Sequence, residues 1–135
     1  MPHTCESRLR VRYAETDQMG VVYHANYLVW MEIGRTDFCR DCGFSYRDLE
    51  KEEGAFIAVA EAQCRYRTPA FYDDEVIIQT KLARVNRRIV EFEYVMRTEA
   101  AILAEGKTVH VVVGIDKRPR ALPDKYLQLM LARLE

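Results

Sequence analysis

Between Ala25 and Cys42 the apolar residues recur at helical spacing, and from Phe56 onward they recur at every second position in successive segments. That change of period limits the fold more than any other feature of the chain. Tyr27, Trp30, Met31, Gly34 and Phe38 share one helical face, with Glu32, Arg35 and Asp37 mostly off it. Gly34 lies on that apolar face, where it costs about 1 kcal/mol of helix stability against Ala but permits close approach to another backbone. Gly43, directly after "CRDC", suits a C-cap, because glycine takes the left-handed conformation cheaply. The pattern predicts a long helix laid against something flat.

The flat partner is the remainder of the chain. Strict alternation in "AFIAVAEAQCRYRT" puts Phe56, Ala58, Ala60, Ala62, Cys64 and Tyr66 on one strand face. Ile57, Val59, Glu61, Gln63 and Arg65 then occupy the other. The first face is mostly small, as a helix lying across it requires. "DEVIIQTKLARV" and "RRIVEFEYVMRT" alternate as clearly, joined by a tight "VNRR" hairpin, and "GKTVHVVVGID" is apolar on both faces, as in a central or interfacial strand. Ser7 to Tyr13 reads as a short opening strand, and Pro123 opens a short C-terminal helix. Strand, long helix and a run of strands predict an α+β fold, one domain over residues 1–135, with an antiparallel sheet wrapped on one helix. One helix covers one sheet face, so apolar side chains on both faces predict a homo-oligomer.

Composition removes several classes of function. With 20 basic and 21 acidic residues and no basic stripe, neither nucleic acid nor an anionic membrane is expected as principal partner. No apolar run reaches the roughly twenty residues of a membrane span, and "MPHTCESRLR" lacks the apolar stretch of a signal peptide. Membrane insertion is not expected, and a cytoplasmic setting is the default. Cys39 and Cys42 form a C-x-x-C near a helix end rather than a helix start, with no second pair to complete a metal site. Buried, reduced thiols are the expectation. The chain's two serines, Ser7 and Ser45, lie in no G-x-S-x-G elbow, and no phosphate-binding glycine loop or H-E-x-x-H is present.

What remains is "YAETDQMGVVYHANY", Tyr13 to Tyr27. Asp17 has a structural reading, a loop carboxylate favoured near a helix N-terminus. The same placement supports chemistry. Free N–H groups around Tyr23, His24 and Ala25 can polarise a carbonyl and hold an oxyanion. A nearby carboxylate can attack that carbon or deprotonate a water, and glycine at position 20 lets the backbone bend close to a substrate. So sparse an apparatus suits a thioester, whose thiolate leaves with a conjugate-acid pKa of roughly 8–9 and needs no strong general acid. His24 is as readily a half-buried structural histidine as a catalytic one. His110, in mid-strand, is expected to be packed. Tyr13, Tyr23 and Tyr27 could line a pocket or belong to the core. Arg84, Arg87 and Arg88 are solvated turn residues or partners for phosphates.

"YAETDQMGVVYHANYLVWMEIGRTDF" resembles the opening signature of the 4-hydroxybenzoyl-CoA thioesterase family, especially its Tol-Pal-associated acyl-CoA thioesterase branch. "YRTPAFYDDEVIIQT", "RRIVEFEY" and "RPRALP" continue the similarity in order along nearly the whole chain. The resemblance implies the hotdog fold, a five-stranded antiparallel sheet around the long helix. It also implies a homo-dimer with a continuous sheet, or a homo-tetramer, with active sites between subunits. The implied reaction is hydrolysis of an acyl-CoA to free acid and coenzyme A. By the same resemblance Asp17 is nucleophile or general base, and Val22 to His24 supply the amides that hold the carbonyl. Tyr13, Tyr23 and His24 shape or assist the site, and Arg87 and Arg88 approach the nucleotide of coenzyme A. No metal or redox cofactor is implied, coenzyme A entering as part of the substrate. A hotdog dehydratase and a non-catalytic acyl-thioester-binding module are the alternatives.

Overall fold

The helix announced by the 3.6-residue period is α1 (Asn26–Cys42), ended by Gly43 at φ +108°. Its buried face carries Tyr27, Trp30, Met31, Gly34 and Phe38 as expected, and adds Cys39 and Cys42. The computed structural model describes residues 3–134. Around α1 stand β1 (Thr4–Arg10), α2 (Tyr46–Glu53), β2 (Phe56–Tyr66), β3 (Glu75–Val85), β4 (Ile89–Arg97), β5 (Ile102–Val113) and α3 (Asp124–Leu131). The strands form one antiparallel sheet in the order β1-β3-β4-β5-β2. This is the α+β hotdog arrangement, a five-stranded antiparallel sheet wrapped on one long helix with a short helix at the C-terminal end.

Register decides which side chains meet the helix. Ile78 pairs with Met96 and Thr80 with Tyr94, while Tyr94 pairs across β5 with Gly106 and Phe92 with Thr108. This face closes the core on Trp30, Met31 and Phe38. Gly34 is where helix and sheet come closest. A Cβ there would overlap Thr80 Oγ1 and stand 2.9 Å from Ile78 Cγ2. β5, apolar on both faces, is paired on both sides by β4 and β2. The "VNRR" turn is held by Asn86, whose Oδ1 accepts the Arg88 and Ile89 N–H groups at 2.8 and 2.9 Å.

Three expectations need correction. The opening strand ends at Arg10 rather than Tyr13, because the chain turns into one 3₁₀ turn, Tyr13–Glu15. Strict alternation along β2 fails at a bulge between Val59 and Glu61. The extra residue switches faces. Ile57 and Val59 therefore share the inner face with their partners Val112 and His110, and beyond the bulge Ala62, Cys64 and Tyr66 take it over. The reading also passed over α2, although Ser45 caps it by accepting the Asp48 N–H at 3.1 Å. Among the described residues no helix is long and apolar enough to cross a membrane.

Candidate active site

The segment between β1 and α1 is a short loop closed on itself. Asp17 N–H donates to Val21 O at 2.8 Å and Gly20 N–H to Asp17 O at 3.0 Å, while Thr16 and Val22 form an isolated antiparallel bridge. Gly20 sits at φ +84°, which this turn demands of a residue without a Cβ, and the space a Cβ would fill is open. Asp17 Oδ1 accepts the Met19 N–H at 2.8 Å and the Val21 N–H at 3.4 Å. It acts as an Asx cap on its own loop. Oδ2 accepts no hydrogen bond from the described residues. Asp17 is half-buried.

Opposite stands the start of α1. Its N-cap, Ala25, lies in the helical region and offers no side-chain cap. The amides expected to hold a carbonyl divide into two groups. Val22 N–H donates to Ala70 O and Tyr23 N–H to Glu15 O, each at 2.9 Å. Those two are engaged in holding the loop. Among the described residues the His24 and Ala25 N–H groups have no such acceptor, and the open donors of the helix end are these. Of the Val22 to His24 segment, only the His24 N–H is open.

The predicted aromatic residues separate in the same way. Tyr13 is 78% exposed and meets Tyr72 edge-on at 6.0 Å. Tyr23 is exposed and lies against the His24 ring at 4.5 Å. Tyr27 is buried between Trp30 and Tyr66, at 4.8 and 5.2 Å, and forms the floor beneath the helix start rather than an open wall. Val22 is likewise buried.

Two residues escaped the sequence reading. Tyr66, at the end of β2, donates its hydroxyl to His24 O at 2.9 Å and faces the His24 ring at 6.3 Å. Desolvation first, and Cys64 second, push its pKa up to about 12, so the hydroxyl remains a donor. Glu15 is the second, a buried carboxylate that accepts the Trp30 indole N–H at 3.0 Å. Tyr66 bonds a residue 42 positions away, and the Glu15 contact to Trp30 spans 15, although Glu15 also accepts the Arg12 N–H locally.

Arg87 and Arg88 stand at the far end of the sheet. Arg88 O accepts the Val112 N–H, and Val112 pairs with Ile57 near the start of β2, whereas Tyr66 at its other end bonds His24. About 30 Å of strand separates the two ends. Both arginines are exposed, and Arg87 lies 3.6 Å from Asp124. Cys39 and Cys42 are free thiols in the last turns of α1. Burial pushes Cys39 up to about 12 and Cys42 to about 11, far from the depressed value of a reactive thiolate.

Comparison with known proteins adds three kinds of likeness. Residues 11–130 match the model of the Thioesterase-like superfamily. A putative acyl-CoA thioesterase, YneP, of Bacillus subtilis is 46% identical over 84 residues, which span 62% of this chain and 60% of that relative. The acyl-CoA thioester hydrolase YbgC of Escherichia coli is 36% identical over 117 residues, 85% of this chain and 87% of the relative. Among solved structures, a DHNA-CoA thioesterase from Staphylococcus aureus superposes with a TM-score of 0.88 at 31% identity, covering 96% of this chain and 87% of that one.

Proposed function

The chain belongs to the Thioesterase-like superfamily, and we propose that it hydrolyses acyl-CoA thioesters to the free acid and coenzyme A. One observation carries the reading. The free Oδ2 of Asp17 is held on a closed loop that is tied to the start of α1, where the His24 and Ala25 amides are open. A thioester carbonyl seated on those amides has its developing oxyanion stabilised by two N–H dipoles and the helix end. Asp17 then attacks the carbonyl carbon, expelling the thiolate and leaving an anhydride that water cleaves. Alternatively, it takes a proton from the water that attacks directly. Both routes expel the thiolate as a good leaving group, and this chain's residues need no metal or redox cofactor for it. Tyr66 keeps the His24 peptide in place, and Tyr23 and His24 border the mouth.

The working unit in this reading is a homo-dimer. Among the described residues β2 is an edge strand, paired on one side only, by β5, and its Val59 is exposed. Antiparallel pairing of β2 with its copy across a two-fold axis sets the Phe56 end of one chain against the Tyr66 end of the other. Arg87 and Arg88 of a second copy would then approach the Asp17 end, which they do not reach within one chain. Free cysteines suit a reducing compartment such as the cytoplasm.

The test is thiol release from short, medium, long and aromatic acyl-CoAs by wild type and Asp17→Asn. Turnover by wild type is expected to fall by at least about 1000-fold in the variant, with fold and oligomer unchanged. Hydrolysis retained in Asp17→Asn would sink the mechanism. Binding without turnover by either protein would favour the acyl-thioester-binding module, with Asp17 as a loop cap.

A further inference from the structure

Among the described residues Glu15 is the only carboxylate the fold buries, at 6% exposure. A buried charge persists only when it is fully hydrogen-bonded. Oε1 accepts the Arg12 N–H at 2.8 Å, Oε2 accepts the Trp30 indole N–H at 3.0 Å, and the Arg12 guanidinium lies 3.5 Å from Oε2. Burial pushes the Glu15 pKa up, but the Arg12 N–H, the indole and the guanidinium together outweigh it and hold the group below the usual carboxylate range. Its main-chain oxygen is used twice more, accepting the Tyr23 N–H at 2.9 Å and the Asn26 Nδ2–H at 2.8 Å. Three segments therefore meet on one residue: the turn ahead of Asp17, the strand-like stretch at Tyr23, and the first turns of α1.

The Asp17–Val21 loop is closed by its own hydrogen bonds. Its attachment to the helix start runs through the Thr16–Val22 bridge and through Glu15. We propose that Glu15 is a positioning residue for the thioester site, its ionised carboxylate anchoring the Asp17 loop to Trp30 so that Oδ2 stays in register with the His24 and Ala25 amides. The assignment rests on the thioesterase reading and adds to it a residue that touches no substrate. Misplacement of a reacting group by about 1 Å can cost on the order of 100-fold in rate. Loss of such supporting partners commonly costs about 10–100-fold.

The experiment compares wild type, Glu15→Gln and Trp30→Phe in three readouts. These are kcat and KM on an acyl-CoA that wild type hydrolyses, amide hydrogen exchange at Met19, Val21 and Tyr23, and, in wild type and Glu15→Gln, the emission of Trp30, the only tryptophan in the chain. Glu15→Gln is expected to lower kcat about 10–100-fold with KM within about twofold, to shift the Trp30 emission and to speed exchange at all three amides. Trp30→Phe keeps the ring without the donor and is expected to show part of the same kcat loss, with the double variant no slower than Glu15→Gln. Wild-type kcat in Glu15→Gln, even with a lowered Tm, would overturn the proposal and leave the thioesterase standing. Loop exchange unchanged in both variants overturns the anchor whatever the activity. No turnover by wild type on any acyl-CoA removes the proposed function, and the positioning role of Glu15 with it.

Discussion

Asp17 shows how far a local pattern can be read. Its Oδ1 caps the loop two and four residues on, and its Oδ2 is free, so the structural and the chemical readings fall to different oxygens of one group. The cap depends on near neighbours in the chain, and a loop carboxylate ahead of a glycine was visible in "ETDQMG". Glu15 and Tyr66 were not, because a carboxylate gains its role from burial and a hydroxyl from what a distant strand brings near. His110 was expected to be packed, and it is fully buried, with Nε2 bonded to Thr108 Oγ1 at 2.8 Å and Nδ1 unpartnered. Burial first and the Arg35 charge second push its pKa down to about 4. The unfolded chain, with an ordinary value near 6.5, then binds the extra proton between about pH 4 and 6.5. Stability is full above that window and falls as pH drops through it, by roughly 3 kcal/mol at most. Urea midpoints at pH 7.5 and 4.5 check this, and His110→Asn should flatten the difference; an unflattened one would assign the acid loss to other groups.

Among the elements, α1 is the one whose position can be tested by a single methyl group. Gly34→Ala improves helix propensity by about 1 kcal/mol, yet the added Cβ overlaps Thr80 Oγ1 and crowds Ile78 Cγ2. Overlap wins if the helix cannot lift, and packing on strands along its length prevents that. The substitution is expected to destabilise by about 1–3 kcal/mol, read as a lowered Tm, with Thr80→Ala restoring part of it. A raised Tm would mean that Thr80, whose hydroxyl has no partner among the described residues, turns aside freely. β2 shows the opposite situation. Its alternation was correct on each side of Ala60 and wrong across it, because a bulge inserts a residue without any mark in the sequence. α2 was missed for a third reason: Ser45 and Asp48 signal its start, but eight residues with one buried side chain, Leu49, give almost no period to detect.

The proposed dimer turns on the open edge of β2. Within one chain the Asp17 loop and the Arg87–Arg88 turn lie at opposite ends of the sheet, too far apart to share one end of a ligand. In the proposed dimer, antiparallel association of two copies would remove that separation and cover the open edge of β2. Val59, 53% exposed on this edge, is the position to test. Val59→Lys is expected to give a monomer by analytical ultracentrifugation, folded by circular dichroism, with thioester turnover lowered at least about tenfold. A monomer of unchanged activity would confine the site to one chain.

Periodicity along the chain was enough to establish the long helix, the succession of strands and the place of Gly34 against the sheet, because these follow from side-chain spacing within single segments. The Asp17–Gly20 loop was legible for the same reason, its hydrogen bonds spanning no more than four residues. Which amides stay open at the helix start was settled by packing. Ala70 and Glu15 take the Val22 and Tyr23 donors, and Tyr66 reaches back to His24. Such competition for a donor is decided by groups remote in sequence, and local spacing carries no information about it.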